Sequence, residues 1–268
     1  MGVVWGVLLV LVIFLVSSFS VFASNPAVDA LRASVKITHD GVVGVGFFVG
    51  CGQDNSEENR LLLVSAAHVF DDMGDECTLV YRIREGETKY TRKNATVAIR
   101  DNEKDLWERH PDLDIGVLEM DTGEVPDDVD MAPLRYDQIA CGGAAEDMGI
   151  QVGDEVFVPT FPAGLEGHSA GWPVLRVGRI ATHPLMPYAD ADDMLVNYAA
   201  FGGDSGGPVV MPFDGETVVV GMAIAAQRRT DKVSTPFEER TTHIPLGLSV
   251  VVRSPFIRKV IDTLNESE

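Results

Sequence analysis

The sequence predicts an all-β protein built in two β halves, with one helix at its C-terminal end. Three observations carry this. Short runs rich in β-branched and aromatic residues recur along the chain, each bounded by Gly, Pro, Asn or Asp, the pattern of a sandwich or barrel. No helical stretches alternate with them as a parallel α/β sheet would require. An acidic, proline-containing, apolar-poor segment, 121–131, divides the runs into two groups and reads as a linker.

The elements follow in order. Residues 3–16 (VVWGVLLVLVIFLV) carry no charged side chain, and small residues follow as far as Ala23. With Val21 and Ala23 at the −3 and −1 positions, residues 1–23 read as a secretory signal cleaved after Ala23. Left uncleaved, the same stretch is a membrane anchor. Either way the remaining chain is expected to be exported, secreted or periplasmic, with a membrane contact only through that leader. The first β half, 28–120, holds runs at 34–38, 42–49, 60–66, 78–81, 95–99 and 115–118. The second, 132–252, holds runs at 155–159, 174–180, 194–198, 208–211, 218–225 and 247–252. Residues 253–268 read as the helix. Ser254 is its N-cap, Pro255 sits in the first turn, and Ile257, Val260, Ile261 and Leu264 share one face.

Charge narrows the partners. Asp and Glu number 41 against 21 Lys and Arg, a formal charge of −20 over 268 residues. Nucleic acid and anionic lipid are usually met by a basic patch, so both are excluded as main partners. The three cysteines sit in an exported chain, where a disulfide is permitted. Cys51 and Cys77 flank His68, so a Cys51–Cys77 bridge bracing that loop is one expectation and three reduced thiols the other. No CxxC or HxxxH pair exists, and no metal is expected.

The chemistry concentrates in three places. Gly202-Gly203-Asp204-Ser205-Gly206-Gly207-Pro208 packs glycines around a serine, which exposes the hydroxyl and lets a substrate carbonyl approach the backbone. A serine hydroxyl is a weak nucleophile and needs a base, which in turn needs an orienting carboxylate. His68 follows an apolar run in Ser65-Ala66-Ala67-His68-Val69, and Asp112-Leu113-Asp114-Ile115-Gly116-Val117-Leu118 opens another run with a carboxylate.

Together these motifs resemble the trypsin-like (chymotrypsin-fold) serine peptidases, in the family's order of His, Asp and Ser. The resemblance spans about residues 30–265. VGVGFFV, GIQVGDEVFVPTFPAG and VGRI are also similar to the Deg/HtrA-type bacterial branch, without a PDZ-like segment in this chain. It implies two packed six-stranded antiparallel β-barrels with the active site between them. It implies Ser205 as nucleophile, His68 as base and Asp114 as orienting carboxylate, preferred over Asp112 because the family's carboxylate directly precedes the Ile-Ala/Gly-Val/Leu run. The backbone N–H groups of Gly203 and Ser205 would form the oxyanion hole. Ala199, six residues before the serine, would floor a pocket without charge, favouring small or medium apolar side chains. Ala223, Ile224 and Ala225 would line the strand that pairs with substrate. The implied partner is a protein or peptide substrate, with no organic cofactor.

Two departures accompany the likeness. Gly116 stands where Ala is commoner. In trypsin the counterpart of Asp204 pairs with an N-terminus freed by cleavage. This chain has no Arg/Lys-Ile-Val-Gly-Gly segment, so no trypsin-style zymogen is expected, and Asp204 must find another partner or stay solvated. Two competing functions also draw on these residues. Gly203-x-Ser205-x-Gly207 also fits an esterase nucleophile elbow, but Pro208-Val209-Val210-Met211-Pro212 reads as strand where that fold needs a helix. An inactive peptidase-fold binding module is the other, and the complete set of motif residues argues against it.

Overall fold

A computed structural model describes residues 25–52, 60–235 and 237–266. The leader, 1–23, lies outside the described residues, and among these no helix is long and apolar enough to cross a membrane. The protein is all-β: among the described residues it has an eight-stranded sheet, a closed six-stranded barrel, a small two-stranded sheet and a closing helix.

The first sheet begins after a short helix that the sequence reading passed over, α1 (Pro26–Ala33). Asn25 caps it by accepting from the N–H groups of Ala27 (3.2 Å) and Val28 (3.4 Å), and Pro26 supplies a first-turn residue that needs no partner. There follow β1 (Ser34–His39), β2 (Val42–Cys51), β3 (Arg60–Ser65), the short α2 (Ala67–Asp71), β4 (Glu76–Glu85) and β5 (Lys89–Ala98). A two-residue hairpin, β6 (Arg100–Asp101) with β7 (Lys104–Asp105), precedes β8 (Trp107–Arg109) and β9 (Gly116–Met120). The sheet runs β5-β4-β1-β2-β3-β9-β8, with β10 (Leu134–Arg135) joining β2 in parallel. This half departs from the expected closed six-stranded barrel: it has eight strands, and no ladder joins its edges β5 and β8 among the described residues. Val97 is the one fully buried residue of β5 (KYTRKNATVA), so little apolar surface drives that edge to close.

The second sheet is a closed six-stranded barrel. It is formed, after α3 (Gly142–Asp147), by β11 (Glu155–Thr160), β12 (Val174–Ile180), β13 (Asp193–Asn197), β14 (Pro208–Phe213), β15 (Glu216–Ser234) and β16 (Glu239–Arg253), in the order β11-β12-β13-β16-β15-β14. β15 and β16 run far beyond the barrel as a two-stranded ribbon paired out to Ser234↔Glu239. The sequence predicts shorter strands, one ending at 225 and the other beginning at 247. The intervening QRRTDKVS has no alternation of apolar residues, because it packs against nothing.

The last helix, α4 (Ser254–Glu266), buries Phe256, Ile257, Val260 and Ile261, the one-sided spacing of an amphipathic helix. Ser254 does not act as a cap, since its hydroxyl donates to the Ala140 carbonyl at 2.8 Å. The helix face joins one core with Phe70 of α2, with Trp107 and Val117 of the first sheet and with Val210, Val219 and Met222 of the barrel wall. A second core fills the barrel around Tyr188, Val196 and Val220.

The expected Cys51–Cys77 bridge is overturned: all three cysteines are free thiols. Register explains why. Cys77 lies next to Thr78, which pairs with Thr38 near the Val42 end of β2, whereas Cys51 ends that strand. Nine residues of strand separate those levels, about 30 Å, where a disulfide needs Cα atoms within about 7 Å.

Candidate active site

His68 sits in the first turn of α2, immediately beyond β3. Asp114 lies in the loop that enters β9, and Ser205 in the tight turn between β13 and β14. The first two meet. His68 Nδ1 lies 2.6 Å from Asp114 Oδ2, and the His68 backbone N–H donates to Oδ1 at 2.9 Å. One carboxylate thus fixes both the ring and the main chain that carries it. Its hydrogen bond raises the His68 pKa above the ordinary histidine value, and burial opposes this only in part. Burial by itself would raise Asp114. The hydrogen bonds from His68 and the Ala67 backbone outweigh it and hold the carboxyl below the usual aspartate range. An ionised Asp114 requires the proton on Nδ1, which leaves Nε2 with its lone pair. Asp112, the other candidate, turns away; it is exposed and its N–H donates to His110 Nδ1 at 3.2 Å.

Gly116 has a steric reason. A Cβ there would come within 2.9 Å of both Phe70 and Trp107 ring carbons, whose rings pack 5.1 Å apart behind α2.

The serine turn is bound to the first sheet through its backbone. Val45 of β2 donates its N–H to the Ser205 carbonyl at 2.8 Å. The Val45 carbonyl accepts from the buried Ser65 hydroxyl at 2.7 Å, and Ser65 lies three residues before His68. Ser65 and Val45 are thus positioning residues that the motif reading missed. The available signal was a hydroxyl inside the apolar run RLLLVSA. Gly206 is obligatory here: its φ is +89°, and a Cβ would lie 1.9 Å from the Val45 carbonyl oxygen. Gly203, at φ +94°, would clash with the Phe161 carbonyl in the same way, at 2.3 Å.

The backbone N–H groups of Gly203 and Ser205 have no hydrogen-bond acceptor among the described residues. The Ser205 hydroxyl donates to the Ile224 carbonyl at 3.3 Å, and no hydrogen bond joins it to His68 among the described residues.

Asp204 is 2% exposed. Its Oδ2 accepts from the Phe201 N–H at 2.9 Å, while Oδ1 is buried without a hydrogen bond. Burial raises the carboxyl to about 6, against the milder lowering influence of the Phe201 N–H, the Arg176 charge and the nearby Thr160 hydroxyl. Asp204 therefore has a backbone partner, neither a new N-terminus nor solvent.

A pocket of ≈10 Å³ opens beside Ser205, with Tyr198, Ala200, Phe201, Ala223 and Ala225 among its walls. That is about the space of one water molecule. Ala223 and Ala225 line this pocket beside Ser205. Ala199 does not floor this pocket: it is exposed, and its neighbours Tyr198 and Ala200 face inward in its place, as alternation along an extended segment requires. Ile224 enters only through its carbonyl. No group of three or more metal-ligating side chains occurs among the described residues.

A family model described as a trypsin-like peptidase domain matches residues 44–222. No curated protein matches the chain. Among solved structures, the crystal structure of Rv3671c from M. tuberculosis H37Rv, a serine-to-alanine mutant in an inactive form, is 18% identical. That similarity covers 92% of this chain and 94% of the other, with a TM-score of 0.49.

Proposed function

Because the chain belongs to the trypsin-like peptidase domain family, we propose that it is a serine endopeptidase using His68, Asp114 and Ser205, carried out of the cytosol by its leader. The observation that supports this most is the 2.6 Å contact between His68 Nδ1 and Asp114 Oδ2. It leaves Nε2 free as the base. Ser205 Oγ attacks the scissile carbonyl carbon while Nε2 takes its proton, and the resulting imidazolium is stabilised by Asp114. The carbonyl oxygen gains negative charge and is met by the N–H groups of Gly203 and Ser205. Collapse of the tetrahedral species breaks the C–N bond, with the proton passing from His68 to the leaving amine. Water, deprotonated by His68, then hydrolyses the acyl-enzyme and restores Ser205. The small pocket beside Ser205 suits a small P1 side chain.

A second reading, an inactive binding module, draws on the Ser205 hydroxyl facing Ile224 rather than His68. A serine-reactive organophosphonate separates the two. Labelling of the folded wild type, lost in Ser205→Ala, is the expected result; a folded wild type that takes no label overturns the peptidase reading. His68→Ala should lower kcat by about 10³-fold or more.

A further inference from the structure

β14 pairs with β15 only from Phe213↔Glu216 to Pro208↔Met222. The next residue, Ala223, is still occupied on that side: it donates to the Gly207 carbonyl at 2.9 Å and accepts from the Gly206 N–H at 2.7 Å. From Ile224 to Ser234 that edge of β15 has no partner strand among the described residues; the other edge pairs with β16, with register shifts at Ala223/Ala225 and Ala226/Arg228 and an unbroken ladder from Arg228↔Pro245 to Ser234↔Glu239. The open edge thus starts at the residue whose carbonyl holds the Ser205 hydroxyl and runs outward for about 33 Å. It contains no proline and is a template for an added strand.

Charge distinguishes this ribbon from the body. The chain carries −20, yet residues 227–247 hold four basic side chains against three acidic ones. Arg229 is neutralised by Asp231 at 2.7 Å. Arg228, Lys232 and Arg240 are exposed and form no ion pair among the described residues. The register puts Arg228, Thr230 and Lys232 on one face with Pro245, His243 and Thr241 opposite, and no carboxylate appears there before Glu239 at the tip. An acidic polypeptide is repelled by the acidic body and attracted here.

We propose that the β15–β16 ribbon is an extended substrate-docking edge. Beyond the stretch at Ala223–Ala225, whose pairing with substrate the family resemblance already implies, it adds the more distant segment N-terminal to P4 as a further strand along Arg228–Ser234 and favours carboxylate side chains in that segment. The inference rests on Ser205 as the nucleophile. It commits to substrate as occupant because the edge is continuous with that serine and oppositely charged to the ligand.

Three fluorogenic peptides with one P1–P4 sequence test it: the bare tetrapeptide, one extended by six residues with alternating Glu, and one extended by six with alternating Ser. The acidic extension should raise kcat/KM about tenfold, through KM, and the gain should shrink between 50 and 500 mM salt. In Arg228→Ser/Lys232→Ser the ratio of acidic to bare peptide should fall severalfold. Equal kcat/KM for all three peptides overturns the proposal. A ratio unchanged in the double variant overturns the role of those cations, and a change of oligomeric state alone reassigns the ribbon to a second copy of the chain. Fluorescence anisotropy of the acidic peptide on Ser205→Ala reads docking without catalysis. Absence of cleavage together with absence of phosphonate labelling therefore refutes the peptidase reading, whereas absence of acidic-peptide binding refutes the docking edge.

Discussion

Replacing Asp204 by asparagine should stabilise the protein at neutral pH. The carboxyl is 2% exposed, and burial raises its pKa from 3.8 to about 6. Each unit corresponds to about 1.4 kcal/mol, so keeping Asp204 ionised in the fold costs about 3 kcal/mol relative to the unfolded chain. A carboxyl whose folded pKa lies above its unfolded value favours the fold in its protonated form. That contribution is fully present below about pH 3.8, is lost as pH rises through about 6, and is absent above about 7. Asparagine keeps an acceptor for the Phe201 N–H and removes the charge. It also buries an amide NH₂, which costs about 1 kcal/mol. The net expectation is about 2 kcal/mol more stability at pH 7.5, turning to a loss of about 1 kcal/mol at pH 4. Urea unfolding followed by tryptophan fluorescence at pH 4, 5.5 and 7.5 measures both proteins, and their difference isolates the one group. An asparagine variant less stable than wild type at pH 7.5, or a difference that stays flat with pH, would refute the reasoning. It would mean that the Arg176 charge compensates Asp204 fully.

Asp114→Asn should lower kcat by about 10³- to 10⁴-fold with an unchanged fold, because the wrong tautomer of His68 is then favoured. In wild type, kcat/KM should fall as pH drops through a His68 pKa lying above 6.5; the asparagine variant should move that limb to lower pH, read from a pH–rate profile. Gly206→Ala forces a Cβ at φ +89° against Val45 and should cost about 3–5 kcal/mol, measured by thermal unfolding. Among the thiols, exposed Cys141 should react with a thiol reagent in the folded protein, whereas Cys77, buried with its pKa pushed up to about 12, should react only after unfolding; a Cys51–Cys77 linked peptide in a non-reducing map would contradict this.

The candidate site was legible in the sequence to the extent that single residue types are irreplaceable there. Only glycine fits at 203 and 206, and only a carboxylate placed at Asp114 reaches both the ring and the backbone of His68. What escaped depends on distance between elements. Cys51 and Cys77 bracket His68 in sequence, but the sheet register sends them to opposite ends of β2. Counting six residues back from Ser205 landed on Ala199, because a count carries no information on which side of an extended segment faces inward. The open first sheet was hidden because closure depends on an edge, β5, whose weakness shows only against β8. Helix α1 had a readable start in Asn25-Pro26, yet its eight residues are too short for a periodic pattern to stand out.

The bond from Val45 to the Ser205 carbonyl has a consequence for the chain's own synthesis. His68 and Asp114 belong to the first sheet, and Ser205 to the second. The first sheet is completed earlier along the chain, and by itself it holds a base with no hydroxyl to activate. The second sheet by itself holds a hydroxyl with no base. On the proposed peptidase reading, the catalytic group would be complete only once the two sheets have docked. On that reading, dividing the site between two sheets would delay peptide cleavage until the chain has folded.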